Sequence, residues 1–269
     1  MMEKIFEWYL EVKDTDLAEE MLISEDFFNY AVENEADEKR IILYTDNEEF
    51  VDKVVTRLQA KIFKKNITYS KDWFRYLAMK PFRILNKVWI DPTGKFQVDD
   101  GIVIKMRPSA AFGTGDHPTT MLCAEFLERY LKNSCSVLDV GCGTAVLSII
   151  AKRLGARKVT ALDNDPVAVE VARGFVRENN VEVDVIVSDL LNGVNGEYDI
   201  VVANIVTPVI IELLNQIHKV SKKGETVLII SGIPVKDEQR IVGEIQNKEF
   251  VILMDGEKAG WKVFAVKIC

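Results

Sequence analysis

Cysteine and histidine are scarce. The 269 residues hold four cysteines, Cys123, Cys135, Cys142 and Cys269, and two histidines, His117 and His218, with no C-x-x-C spacing. The ligands of a structural zinc ion are therefore missing, and no metal site is expected. So few cysteines predict a reducing compartment, and the acidic, alternating amino terminus MMEKIFEWYLEVKD lacks the basic-then-apolar order of a signal peptide, so a cytoplasmic location is expected. No apolar run is long enough to span a bilayer; the longest, Ile200 to Ile211, is broken by Asn204 and Pro208. Internal repeats and low-complexity tracts are absent. A surplus of positive charge is missing as well: 34 Lys and Arg stand against 42 Asp and Glu, a formal charge of −8. That balance argues against holding nucleic acid through the overall field of the protein.

What is present is ordinary globular material, 48% hydrophobic and 28% charged, of a length that favours two domains. The charge is unevenly spread. Residues 1–60 carry 6 basic and 17 acidic side chains, residues 61–90 carry 8 and 1, and the remainder carries 20 and 24. An acidic segment is thus followed at once by a basic one.

In the first segment Phe6, Trp8, Leu10 and Val12 alternate with Glu7, Tyr9 and Glu11, the pattern of a half-buried strand. Asp16, with Glu19 three residues on, predicts the start of a helix carrying Leu17, Met21 and Leu22. Phe27 to Val32 and Ile41 to Tyr44 read as strands. Phe50, Val51, Val54, Val55, Leu58 and Ile62 repeat at three and four, a second amphipathic helix, and a last strand is expected near Ile67 to Tyr69. The order βαββαβ predicts a small ferredoxin-like α/β sandwich. The expected domains are 1–66, a linker over 67–100 with lead-in strands, and 101–269.

From about residue 119 helix and strand alternate. Strands are expected at Ser136 to Val140, Lys158 to Leu162, Asp184 to Val187, Asp199 to Ala203 and Thr226 to Ile230, the signature of a doubly wound parallel sheet. Phe250 to Met254 and Trp261 to Ile268 instead predict a terminal hairpin, which adds an antiparallel strand. The stretch SVLDVGCGTA runs a strand into a glycine turn and then a helix. Gly141 and Gly143 let the backbone turn sharply and a ligand approach closely. Asp163 ends the next strand, where a carboxylate can accept from both hydroxyls of a ribose. A nucleoside cofactor follows. Val146 stands where the dinucleotide fingerprint wants its third glycine, and Asp139 precedes the loop. Both favour S-adenosylmethionine, with its cationic sulfonium and amino acid, over a nicotinamide dinucleotide, which stays open as the alternative.

Two further segments, AFGTGDHPTT at 111–120 and VVANIVTP at 201–208, join WYLEV, DWFRYLAMKPFRI, LDVGCGT and ALDND in one order. Together they resemble the methyltransferase family that modifies protein eleven of the large ribosomal subunit, over nearly the whole chain. The nine residues FGTGDHPTT are a specific signal; G-C-G alone is not. The resemblance implies a doubly wound seven-stranded class I methyltransferase sheet behind the small ferredoxin-like α/β domain. It implies S-adenosylmethionine as cofactor, and methyl transfer to lysine side chains or the N-terminal amine of that basic ribosomal protein.

By position, the family's cofactor contacts fall on Thr120, Gly141, Asp163 and Asn204, with Gly115, Asp139, Gly143 and Asp189 beside them. Phe112, Thr114 and Gly115 line the approach of the amine, and Asn204 orients it. Thr119 or Thr120 is expected to cap the helix Met121 to Leu131, and His117 to be structural. The acidic domain is expected to recognise the basic substrate, and the basic stretch 61–90 to reach ribosomal RNA. Ser109 and Val206 depart from the family pattern as glycine and leucine positions. A methyltransferase of this fold acting on lysines of another protein, or a ribosome-associated binding protein without transfer activity, would share these features.

Overall fold

The computed structural model describes residues 4–25, 27, 30–35, 38–69, 80–107, 113–222 and 224–269. The expectations for Ser109 and Phe112 lie outside the described residues. The chain falls into two units, Met1–Ala78 and Met79–Cys269.

The first unit runs β1 (Lys4–Glu11), α1 (Thr15–Ser24), β2 (Tyr30–Glu35), β3 (Glu38–Tyr44), α2 (Glu48–Leu58) and β4 (Lys61–Tyr69). Its sheet has the order β2-β3-β1-β4, antiparallel throughout, which is the ferredoxin-like arrangement. The alternating Trp8 and Leu10 with Ile41 and Leu43 pack on Ala18, Leu22, Val51 and Val54 of the helices. Asp14 caps α1, accepting from Leu17 N at 3.2 Å, in place of Asp16. Asn47 caps α2 through Phe50 N at 3.0 Å. That helix ends at Gln59 in the left-handed region, so Ile62 belongs to β4. Its spacing from Leu58 fits a helix, but its place in Lys61–Tyr69 fits a strand equally well.

β4 pairs with β1 as far as Lys4↔Tyr69, so a boundary at 66 would cut a paired strand. The stretch expected as linker also holds β5 (Phe82–Leu85) and β6 (Val88–Asp91), which form a three-stranded sheet of the larger unit with β7 (Ile102–Lys105), in that order. At the end of β6 the buried Asp91 accepts from Thr93 N at 2.8 Å and Phe96 N at 2.9 Å, closing the DPTG turn. The larger unit continues with α3 (Pro118–Tyr130), β8 (Ser136–Val140), α4 (Val146–Arg153), β9 (Lys158–Asp163), α5 (Pro166–Glu178) and β10 (Asp184–Val187). It ends with β11 (Ile200–Asn204), α6 (Thr207–Gln216), β12 (Val227–Pro234), α7 (Glu238–Asn247), β13 (Val251–Lys258) and β14 (Trp261–Lys267). Asn179, following α5, ties β7 to this body: its amide accepts from Lys105 N and donates to Lys105 O, both at 2.8 Å.

The seven-stranded sheet has the order β10-β9-β8-β11-β12-β14-β13. Strands β8 to β12 are parallel, and β14 is antiparallel to both β12 and β13. Each face carries its own core: Val137, Ala161, Val202 and Ile229 point one way, and Leu138, Leu162, Val201 and Leu228 the other. Chain order reverses between β8 and β11. Open α/β sheets bind ligands at the carboxyl ends of the strands at such a point.

At the opposite end Asp199 closes the sheet. Its carboxylate accepts from Ser136 N at 2.7 Å, Ser136 Oγ at 2.8 Å and Lys222 Nζ at 2.5 Å. Partial burial pushes its pKa up, but the bonds from Lys222 and Ser136 outweigh that and hold it at about 2. A depressed carboxylate stabilises the fold above its unfolded pKa, about 3.9, and this contribution fades as pH falls through the folded value. Asp199→Asn is therefore expected to lower stability at neutral pH. Its deficit against the parent should shrink between about pH 4 and pH 2 in denaturant titrations at each pH.

Candidate active site

The turn after β8 is fixed by its neighbour. Gly141 N and Cys142 N both donate to Leu162 O at 2.8 Å, and Gly143 N donates to Asp163 Oδ2 at 2.8 Å. Gly141 and Gly143 have φ of 72° and 52°, and Ala145, entering α4, has 63°. Beneath the turn Asp139 is buried, and Ser148 N and Oγ donate to its Oδ2 at 3.1 and 2.6 Å. Burial pushes this carboxyl up to about 7, against the lowering effect of the Ser148 bonds. A carboxyl thus already occupies the amino-terminal end of α4, and three loop amides are engaged within the protein. A pyrophosphate needs those groups. The turn instead suits a nucleoside without phosphates.

Asp163 offers what such a ligand requires. Its Oδ2 holds Gly143 and its Oδ1 accepts from Asp165 N at 3.0 Å, which fixes the plane of the carboxylate. An ionised carboxylate has about four lone-pair sites, so capacity for two hydroxyls remains. Beyond β10, Ser188 N donates to Asp163 O at 2.8 Å, and Ser188 Oγ donates to Leu190 O and Asn192 O, each at 2.9 Å. This folds the loop that carries the exposed Asp189. Val167, in the first turn of α5, and Val187, at the end of β10, are both exposed.

Across the switch point Asn204 ends β11. Its Nδ2 donates to Oγ1 of the buried Thr120 at 3.3 Å, so the amide presents Oδ1 as its acceptor. Ile205, next in the chain, is wedged between two glycines. A Cβ on Gly141 would lie 2.3 Å from Ile205 Cγ2, and one on Gly232 would lie 2.2 Å from Ile205 O. Gly232, at φ 87°, sits at the irregularity between Ser231 and Ile233 in β12, and Ile205 N donates to Ser231 O at 3.1 Å.

The segment before α3 closes the third side. Gly113 O accepts from Thr144 Oγ1 at 2.5 Å. Thr114 Oγ1 donates to Asp116, and Gly115 backs onto Ile90, 3.2 Å from where its Cβ would stand. His117 is the cap of α3, accepting at Nδ1 from Thr119 N at 3.3 Å, with Trp261 edge-on at 5.2 Å. This corrects the expectation of a threonine cap. Burial lowers the His117 pKa against the raising effect of Asp116, which suits a neutral, structural imidazole.

Gly141, Gly143 and Asp163 thus gather at the carboxyl ends of β8 and β9, Thr120 and Asn204 beside β11, and Thr114 and Gly115 on the facing loop. Asp139 lies under the turn and Asp189 at its outer edge. Sequence reasoning passed over Thr144, Ile205 and Gly232. Their only signal was adjacency: Thr144 to the glycine pair, Ile205 to Asn204, and a lone glycine closing the apolar run VLIIS.

The family model described as ribosomal protein L11 methyltransferase (PrmA) matches residues 7–268. A Thermotoga petrophila protein named ribosomal protein L11 methyltransferase is 39% identical over 259 residues, 96% of each chain. One from Thermosipho africanus is 45% identical over 186 residues, 69% of this chain and 71% of its own. The crystal structure of a ribosomal protein L11 methylase from Lactobacillus delbrueckii subsp. bulgaricus aligns with a TM-score of 0.65 at 27% identity, over 70% of this chain and 99% of that one.

Gly232→Ala would force the Ile205 peptide away from β12. Overpacking, together with a left-handed backbone, is expected to cost about 2–4 kcal/mol of unfolding free energy, measured by denaturant titration.

Proposed function

The chain belongs to the ribosomal protein L11 methyltransferase family, and from that premise we propose that the groups gathered around Asn204 transfer methyl to amines of ribosomal protein L11. The protein is a protein methyltransferase dependent on S-adenosylmethionine. When bound, that cofactor supplies an already activated methyl on a sulfonium. The task left to the chain is to align an amine lone pair in line with it and to exclude water.

In this reading Asp163 holds the ribose hydroxyls and Asp189 the adenine amino group. Gly141 and Gly143 admit the cofactor, and Asp139 supports them from below. Thr120 and Gly115 border its methionine part. Thr114 lines the amine's path. The observation that carries the reading is the Asn204 amide, turned by Thr120 so that Oδ1 accepts. An acceptor there takes an N–H of the incoming amine and leaves the lone pair facing the methyl.

The amine must arrive neutral. For a lysine of pKa about 10.4, neutrality at pH 7.4 costs about 4 kcal/mol, and for an α-amino group of about 7.7–8.0 far less. Desolvation at the site lowers either value. No side chain here is assigned as a base; the proton leaves to water.

The acidic first unit recruits the substrate. A segment with 17 acidic and 6 basic residues over 1–60 draws a basic ribosomal protein by charge complementarity. The basic stretch 61–90, with Lys61, Lys64 and Lys65 exposed on β4, supplies charge suited to ribosomal RNA. No described helix is long and apolar enough to cross a membrane, and a ribosomal substrate supports the reading of a cytoplasmic reaction.

Mass spectrometry of L11 after incubation with enzyme and cofactor should show whole methyl increments; an unmodified substrate would overturn the assignment. Asp163→Ala is expected to weaken cofactor binding by about 1.5–3 kcal/mol in calorimetry, the scale of hydrogen bonds to a charged group. Asn204→Ala should lower kcat far more than cofactor affinity, and equal losses would make Asn204 a binding residue only. Deleting the whole first unit, residues 1–78, should abolish L11 methylation while sparing cofactor affinity; full activity without it would remove the recruiting role.

A further inference from the structure

We propose that Thr144 is a positioning residue, through which the cofactor-binding turn holds the acceptor-side loop in its working place. This rests on the reading of 141–143 as the cofactor turn. Thr144 is fully buried, and its hydroxyl donates to Gly113 O across 31 residues of sequence at 2.5 Å.

Both ends of this bond are set by the backbone around them. On one side Thr144 lies between Gly143, whose N–H is held by Asp163, and Ala145, whose N–H donates to Cys142 O at 2.7 Å. On the other side Gly113 has φ 109°, and a Cβ there would stand 2.9 Å from Thr144 Oγ1. Glycine at 113 is thus what lets the carbonyl come within reach of the hydroxyl.

At its far side the loop that receives the bond has a further support, where Gly115 meets Ile90 and Phe82. Thr114, assigned to the amine's path, stands between the two. Ordering of the glycine turn by cofactor therefore passes through one hydroxyl to the residues that meet the acceptor. In this arrangement cofactor binding prepares the acceptor side, and Thr144 touches neither reacting atom.

Thr144→Val keeps the side-chain volume and removes the donor, whereas Thr144→Ser keeps the donor. Amide exchange of peptides spanning 113–117, with and without S-adenosylmethionine, reads the link without any acceptor protein. The cofactor should slow exchange in the parent and in Thr144→Ser but not in Thr144→Val. With L11 as acceptor, Thr144→Val should raise KM about tenfold, the scale of one hydrogen bond, while cofactor affinity stays within about twofold of the parent. Should Thr144→Val fail to fold, Gly113→Ala attacks the same bond from the other end and should give the same loss of protection. Equal protection in Thr144→Val and the parent overturns the proposal, and so does a Thr144→Ser variant as impaired as valine. A parent that binds no cofactor overturns the reading of the turn itself, by a different signal.

Discussion

One carbonyl organises the larger unit. Leu162 O, at the end of β9, takes two N–H groups from the turn that follows β8, and the next residue, Asp163, takes a third. Left-handed glycines alone would leave this turn many conformations, because the freedom that lets glycine enter that region also raises its entropy when unconstrained. Fastening the turn to the neighbouring strand removes part of that freedom and leaves the rest for the cofactor to take up. The same fastening aims Asp163 and places Gly141 against Ile205. It also ends the competition for the amino-terminal end of α4, which Asp139 fills through Ser148. The chemistry of the ligand is chosen by which backbone groups are already engaged.

Much of this was legible in the sequence where the signal is local. Strand alternation in Phe6 to Val12 and the strand-and-helix rhythm after residue 119 depend on neighbours a few residues apart, and the architecture follows from them. The errors have equally local causes. Ile62 fits both a helical and an alternating pattern, so spacing alone carries α2 past its end at Leu58. β5 and β6 are four residues each, too short for a periodicity to declare itself among the aromatics and lysines around them. Histidine is not among the preferred capping types and threonine is, so residue type alone points to Thr119 or Thr120 and not to His117.

The site was legible as a set of residue types and illegible as a set of contacts. Asp163 and Asn204 stand at strand ends and announce themselves. Gly232 and Ile205 meet only because β11 and β12 are neighbours, and the need for glycine at 232 is visible only when the Ile205 carbonyl is seen to occupy the space of a side chain. Thr144 is likewise an unremarked hydroxyl until Gly113 is brought to it. Asp139 shows the converse. Its type suggested a ligand contact, while its burial and its bonds to Ser148 make it a support for the helix that carries the turn.

The inversion at the end of the sheet, β12-β14-β13, bears on how the protein is made. β13 leaves the ribosome before β14 yet lies outside it, with no strand of the sheet to pair with until β14 has been inserted alongside β12. Throughout that interval the β12 edge, including Ile229 and Ile230, has an unsatisfied backbone next to apolar side chains, the kind of edge that recruits foreign strands. Completion of this sheet is therefore a late, long-range event.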